Sequence, residues 1–194
     1  MSTGPQPTAH AADLGPPGAT AAGPPGVDPS MLARGLAVLR IFFGVIYLSN
    51  GLAKLFDFTQ IAIGPYVANL VDSDAARAIL DFHGGQTSQV PLVPTLANDV
   101  ILPGWGFFSP LLTFVELGLG TLLILGLATR GAALVGLGQQ LFLALVYFSS
   151  DRWAFEQPHE YVPLLILAVV PAGRAWGLDA RLTRERPSLR RWPF

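Results

Sequence analysis

Four apolar stretches, each close to the roughly 20 residues needed to cross a bilayer core, crowd into the interval between Met31 and Trp176. They fall at about residues 34–56, 107–128, 131–149 and 160–176, and Pro171 interrupts the end of the last. A soluble helical protein can hide one such segment. Four leave too little polar surface to face water, and charged residues make up only 13% of the chain against about 25% in soluble domains. The sequence therefore specifies an all-α integral membrane protein, a four-helix transmembrane bundle. Residues 57–106 form a long connection between the first and second helices. Its run VPLVPTLANDVILPGWG is too apolar for a freely solvated loop and is expected against the membrane surface or folded over the bundle. Ser73 and Asp74 are placed to cap a short helix running to Phe82.

Residues 1–30 hold seven prolines, five glycines and almost no large apolar side chain. Such a segment cannot bury enough surface to offset its ordering entropy, so disorder is expected. It has neither the basic n-region nor the apolar h-region of a secretory signal. The membrane domain then spans 31–178, and a basic tail covers 179–194. Orientation follows from the basic residues. Arg174, Arg181, Arg184, Arg186, Arg190 and Arg191 lie toward the C-terminus, Arg34 and Arg40 at the start of the first helix, and Arg130 in the turn between the second and third. The opposite side carries mostly aspartates. Both termini are expected in the cytoplasm of a bacterial-type plasma membrane, and the 57–106 connection outside. Trp105 and Trp153 then fall at the outer interface and Trp176 at the inner one, as an aromatic belt requires.

Several chemistries are excluded or disfavoured. With no cysteine, the chain has no disulfide, thiolate nucleophile or cysteine-ligated metal. Transmembrane haem needs histidines within the helices, where only His159 comes near. No phosphate-binding glycine fingerprint, HExxH or paired-carboxylate metal motif occurs. A net charge of -1 argues against nucleic acid as a partner.

Polar side chains inside the bilayer are the candidates for function, because each costs on the order of 2.5–3.5 kcal/mol unless partnered. Arg40, Tyr47 and Lys54 recur every seven residues on one face of the first helix, with Asn50 beside them and Gly44 and Gly51 nearby to admit another helix. Glu116 lies mid-way along the second helix, at the expected level of Tyr47 and Asn50, and Gln139 and Gln140 lie at similar depth on the third. These residues form a candidate intramembrane cluster, and they would serve equally well as interhelical hydrogen-bond glue. His159 and Glu160 make a candidate outer rim, or simply a hydrated helix start with an acid in its first turn. His83 is a loop histidine with no indicated role.

Two segments resemble the DoxX/DoxD-like integral membrane proteins. LRIFFGVIYLSNGLAKLFDF matches the opening helix with its G-x-x-K-[LF]-F ending, and FVELGLGTLLILGLATRGAAL the mid-helix glutamate and G-L-x-T-R turn. Arg40, Gly51, Lys54, Glu116, Gly126 and Arg130 carry that pattern, and the resemblance covers about Leu36–Phe56 and Leu111–Leu178. It implies a non-catalytic or accessory subunit of a membrane-associated, quinone-linked redox or oxidative-stress complex. It also implies a redox-enzyme partner and quinone as the cofactor class, none being intrinsic to the chain. It assigns no catalytic residue and leaves self-association open. The competing expectations are a membrane scaffold or binding protein and a small-solute or proton-coupled transporter.

Overall fold

The computed structural model describes residues 28–153 and 155–186. The tail expected to be disordered lies outside them except for its last three residues, which start the first helix. Helix α1 (Pro29–Phe56) begins where the Asp28 carboxylate accepts a hydrogen bond from Ser30 N at 2.9 Å and Pro29 occupies the first position, where no donor is needed. Its end is set by Asp57, whose backbone turns left-handed. Helix α4 (Trp105–Leu125) runs back alongside it, α5 (Thr129–Val146) follows, and α6 (Pro158–Val169) completes the set. Helices α1, α4 and α5 are long and apolar enough to cross a membrane, by length and composition. Helix α6 has only 12 residues, about 18 Å at 1.5 Å per residue, well short of a ~30 Å core. The stretch expected to run to 176 breaks at Val170, which turns extended ahead of Pro171, and a 3₁₀ turn (Ala172–Arg174) replaces the last helical residues.

Small residues bring α1 and α4 together. A Cβ on Gly120 would lie 2.5 Å from Leu48 N, and one on Gly51 2.9 Å from Leu117 N. The backbones therefore touch, as in close-packed membrane helix pairs. The α4–α5 turn is built by Gly126 (φ 63°) and Ala128 (φ 46°), both left-handed. The first amides of α5 are capped from far along the chain. Ala128 N and Thr129 N donate to the two Asp179 carboxylate oxygens at 2.8 and 3.1 Å. Asp179 opens helix α7 (Leu178–Glu185) and is almost fully buried, so the segment read as the start of a basic tail is docked on the bundle.

The 57–104 connection contains the expected short helix and, before it, a hairpin the sequence did not announce. Strands β1 (Gln60–Ile63) and β2 (Tyr66–Asn69) pair antiparallel around Gly64–Pro65, Gln60 facing Asn69 and Ile63 facing Tyr66. They are the one departure from an all-α reading among the described residues. Helix α2 (Ser73–Ile79) is capped by Asp72, whose carboxylate accepts from Ala75 N at 2.7 Å, rather than by Ser73. It continues as π-helical turns through Leu80–Gln86, and α3 (Val93–Thr95) continues likewise through Leu96–Ile101. Apolar contacts split into two clusters. One lies between the four longer helices around Leu123, Ala133, Leu164 and Leu167. The other packs Leu80, Val93 and Ala97 of the connection onto Val146 at the end of α5.

Candidate functional site

A cavity of about 860 Å³ is lined by all four longer helices and by the connection. Phe43 and Tyr47 of the bundle core and Leu80 and Val146 of the second cluster all belong to its wall, so it lies where the two clusters meet. Most of the wall is aliphatic or aromatic, with Phe42, Phe108, Leu112 and Phe142 among the contributors. Tyr47, Asn50, Lys54, Glu116, Gln139, Gln140, His159 and Glu160 supply most of its polar groups. An apolar wall with a few placed polar groups is the usual makeup of a small-molecule site, and the volume falls within the usual range of about 300–1,000 Å³.

The polar groups are organised around Glu116. Lys54 Nζ stands 2.9 Å from Glu116 Oε2, and the two side chains are 2% and 7% exposed. On the other oxygen, Gln139 Nε2 donates at 3.1 Å. Helices α1, α4 and α5 thus meet at one carboxylate. Lys54 also donates to Val71 O at 2.7 Å, while Asn50 Oδ1 accepts from Val71 N at 3.0 Å. Both backbone groups of Val71 are held by α1, which clamps the connection onto the cavity. Val71 was invisible to sequence reasoning, because backbone groups carry no residue-type signal. Gln139 Oε1 and Gln140 Oε1 are buried without a hydrogen-bond partner, an arrangement proteins seldom keep without a reason.

The structure divides the predicted seven-residue stripe into three sites. Arg40 is not part of the cluster. Fourteen residues from Lys54, or about 21 Å along the helix, its guanidinium donates to Trp176 O at 3.3 Å at the other end of the bundle. Tyr47 donates to Gly136 O of α5 at 3.2 Å rather than reaching Glu116. Only Lys54 meets the carboxylate. Glu116 is level with Lys54, toward the connection, because Leu117 packs on Gly51 and Gly120 on Leu48. Arg130 crosses to α6, where its Nε donates to Ala168 O at 3.1 Å and satisfies a carbonyl of the last helical turn.

At the expected rim, His159 Nδ1 is 3.1 Å from Phe155 O. A carbonyl only accepts, so that ring nitrogen carries the proton. Glu160 lines the cavity and makes no ion pair among the described residues. His83 sits closer to the site than its loop position suggested. Its ring packs on Tyr147 with centroids 4.8 Å apart, and the Arg152 guanidinium lies 4.0 Å from the centre of the same Tyr147 ring. Burial, and then the charge of Arg152, lower the His83 pKa below its ordinary value. Among the described residues no group of three or more His, Asp or Glu is placed to hold a metal ion.

Membrane-length apolar helices around a largely apolar cavity with a buried ion pair in its wall define the class, a helical integral membrane protein. The DoxX family model matches residues 35–149, more than half of the chain and inclusive of Lys54, Glu116 and Gln139. The chain belongs to the DoxX family. No curated protein and no solved structure matches it. The two family segments are thus explained physically. The lysine ending α1 and the glutamate of α4 form one ion pair, and the G-L-x-T-R turn is the left-handed corner capped by Asp179.

Proposed function

We propose that this DoxX protein is an accessory membrane subunit whose cavity holds a lipophilic ring compound of the quinone class for a membrane redox complex. The observation carrying the reading is the cavity of about 860 Å³, aromatic and aliphatic over most of its wall, with the Lys54–Glu116–Gln139 cluster in it. A quinone head is a flat ring with polar oxygens on an apolar tail, and it needs that combination. Gln139 and Gln140, with buried oxygens lacking partners, would accept hydrogen bonds from the ring hydroxyls of the reduced, quinol form. Phe108, Leu112 and Phe142 would pack on its faces. When bound, the quinone supplies the electron-carrying chemistry, and the side chains around it supply position and exclude water. The chain acts with a redox-enzyme partner rather than alone.

In this reading α6 is the fourth, short membrane helix, both termini are cytoplasmic, and the 57–104 connection lies outside. The basic residues near both ends of the chain support that orientation. The test is to purify the full chain in mild detergent and to quantify isoprenoid quinones in the extract by mass spectrometry, alongside Leu112→Trp, which obstructs the wall on which the ring would pack. The reading expects quinone in the native protein and its loss in the variant. Equal amounts in both, or none in either, would overturn it.

A further inference from the structure

The β1–β2 hairpin is built unlike the rest of the connection. From Phe58 to Val71 the sequence FTQIAIGPYVANLV contains no charged residue, whereas Asp57 and Asp72 flank it directly. Its tip is exposed nonetheless, with Ile63 at 70%, Tyr66 at 64% and Val67 at 54%. Exposed hairpins in water normally carry charges on their edges, which keep them from pairing with other chains, and a lone two-stranded hairpin is marginal in water. This one lacks such charges.

Its position says what covers it. The hairpin starts at Gln60, just past Phe56, the last residue of the membrane-length α1. Leu55 and Phe56, themselves 51% and 68% exposed, close the lipid-facing surface of that helix. Only three residues, Asp57 to Thr59, separate this exposed apolar helix end from the hairpin. At the base, Leu70 N donates to Thr59 O at 2.7 Å, and the next residue, Val71, is the one clamped by Asn50 and Lys54. The hairpin is tied at its root to a membrane helix.

We infer that the β1–β2 hairpin is a membrane-interface anchor, seating Ile63 and Tyr66, which pair across the strands and share one face, among the lipid headgroups and upper acyl chains beside the end of α1. A tyrosine flanked by aliphatic residues suits that zone. The strand edges have unpaired backbone groups that hydrocarbon would not tolerate, so they stay at headgroup level while the side chains dip below. The anchor holds the segment leading to Val71 on the cavity, which makes bilayer contact part of what closes the site.

The absence of native cysteine makes the test direct. Single-cysteine variants Ile63→Cys and Tyr66→Cys, with Asp74→Cys on the exposed side of α2 as the aqueous reference, are spin-labelled in the full chain. They are reconstituted into phosphatidylcholine vesicles and probed by collision with oxygen and with a water-soluble nickel chelate. The anchor predicts a ratio of oxygen to nickel collisions at 63 and 66 at least about threefold above that at 74, as expected of side chains below the headgroups. Ratios equal to that at Asp74→Cys would show the hairpin in water and overturn the inference. Shielding from both reagents would show a protein partner or second copy on the hairpin, and would overturn it equally. The outcome is independent of whether quinone binds.

Discussion

Lys54→Met removes the cation from Glu116 without changing the bulk of the side chain. At 2% and 7% exposure the two groups are beyond solvent screening, so the loss is that of a broken buried pair, about 3–5 kcal/mol. The lost hydrogen bond to Val71 O adds about 1 kcal/mol. Glu116→Gln alone leaves the ammonium facing an amide and costs about 3 kcal/mol by the same reasoning. The double variant removes both charges, and Gln at 116 can still bond to Gln139. It should therefore be less destabilised than the sum of the singles by at least about 2 kcal/mol, the coupling expected of groups in direct contact. The assay is unfolding of the purified protein in mixed micelles, titrated with denaturing detergent and followed by tryptophan fluorescence. Additive losses would show that the 2.9 Å contact holds no coupling energy, and the assignment of Glu116 as the junction of three helices would fail.

Gly120→Val should destabilise the protein by at least about 1–3 kcal/mol through overpacking, because its Cβ would press on Leu48 backbone; Gly118→Ala, with nothing within 4 Å, should be neutral or mildly stabilising in the same unfolding titration. Asp179→Ala should cost about 1–2 kcal/mol through loss of the cap on α5, with Asp179→Asn recovering part of it, read as detergent-unfolding midpoints. For His83 the folded pKa is lowered, so the unfolded chain binds the proton more readily and stability rises with pH through the interval below 6.5. Its contribution is complete above 6.5 and is lost as pH falls through the folded value. Thermal midpoints should accordingly drop more between pH 7.5 and pH 5 for the native chain than for His83→Gln, and equal drops would refute the burial argument.

The three long helices were legible because a 20-residue apolar run has few alternatives in a short chain. The end of α6 was less so: the hydropathy continues past Val169, and only the geometry of Pro171 stops it. The residue types of the cavity cluster could be read from the cost of polar groups in lipid, but their partners could not. The offset between α1 and α4 is fixed by Gly51 against Leu117 and Gly120 against Leu48, contacts separated by the whole 57–104 connection. Periodicity put Arg40, Tyr47 and Lys54 on one face correctly. Their spacing places Arg40 about 21 Å from Lys54 along the axis, but it does not say which end of α1 meets Glu116, and that offset separates Arg40 from the carboxylate. The hairpin went unread although Gly64–Pro65 is a turn signal, because its strands are only four residues long. The long-range cap from Asp179 had no local signature at all.

Photoaffinity labelling with an azido-quinone tests the central claim most directly, since it reports where a quinone sits. The full chain in native-lipid nanodiscs is labelled with and without excess unlabelled quinone, digested and mapped by mass spectrometry. The account predicts competable adducts on cavity-wall residues, Phe108, Leu112 and Val115 of α4 and Gln139, Phe142 and Leu143 of α5. Adducts confined to exposed positions outside the cavity wall, such as Phe114 and Leu134, or labelling that excess quinone does not suppress, would contradict it.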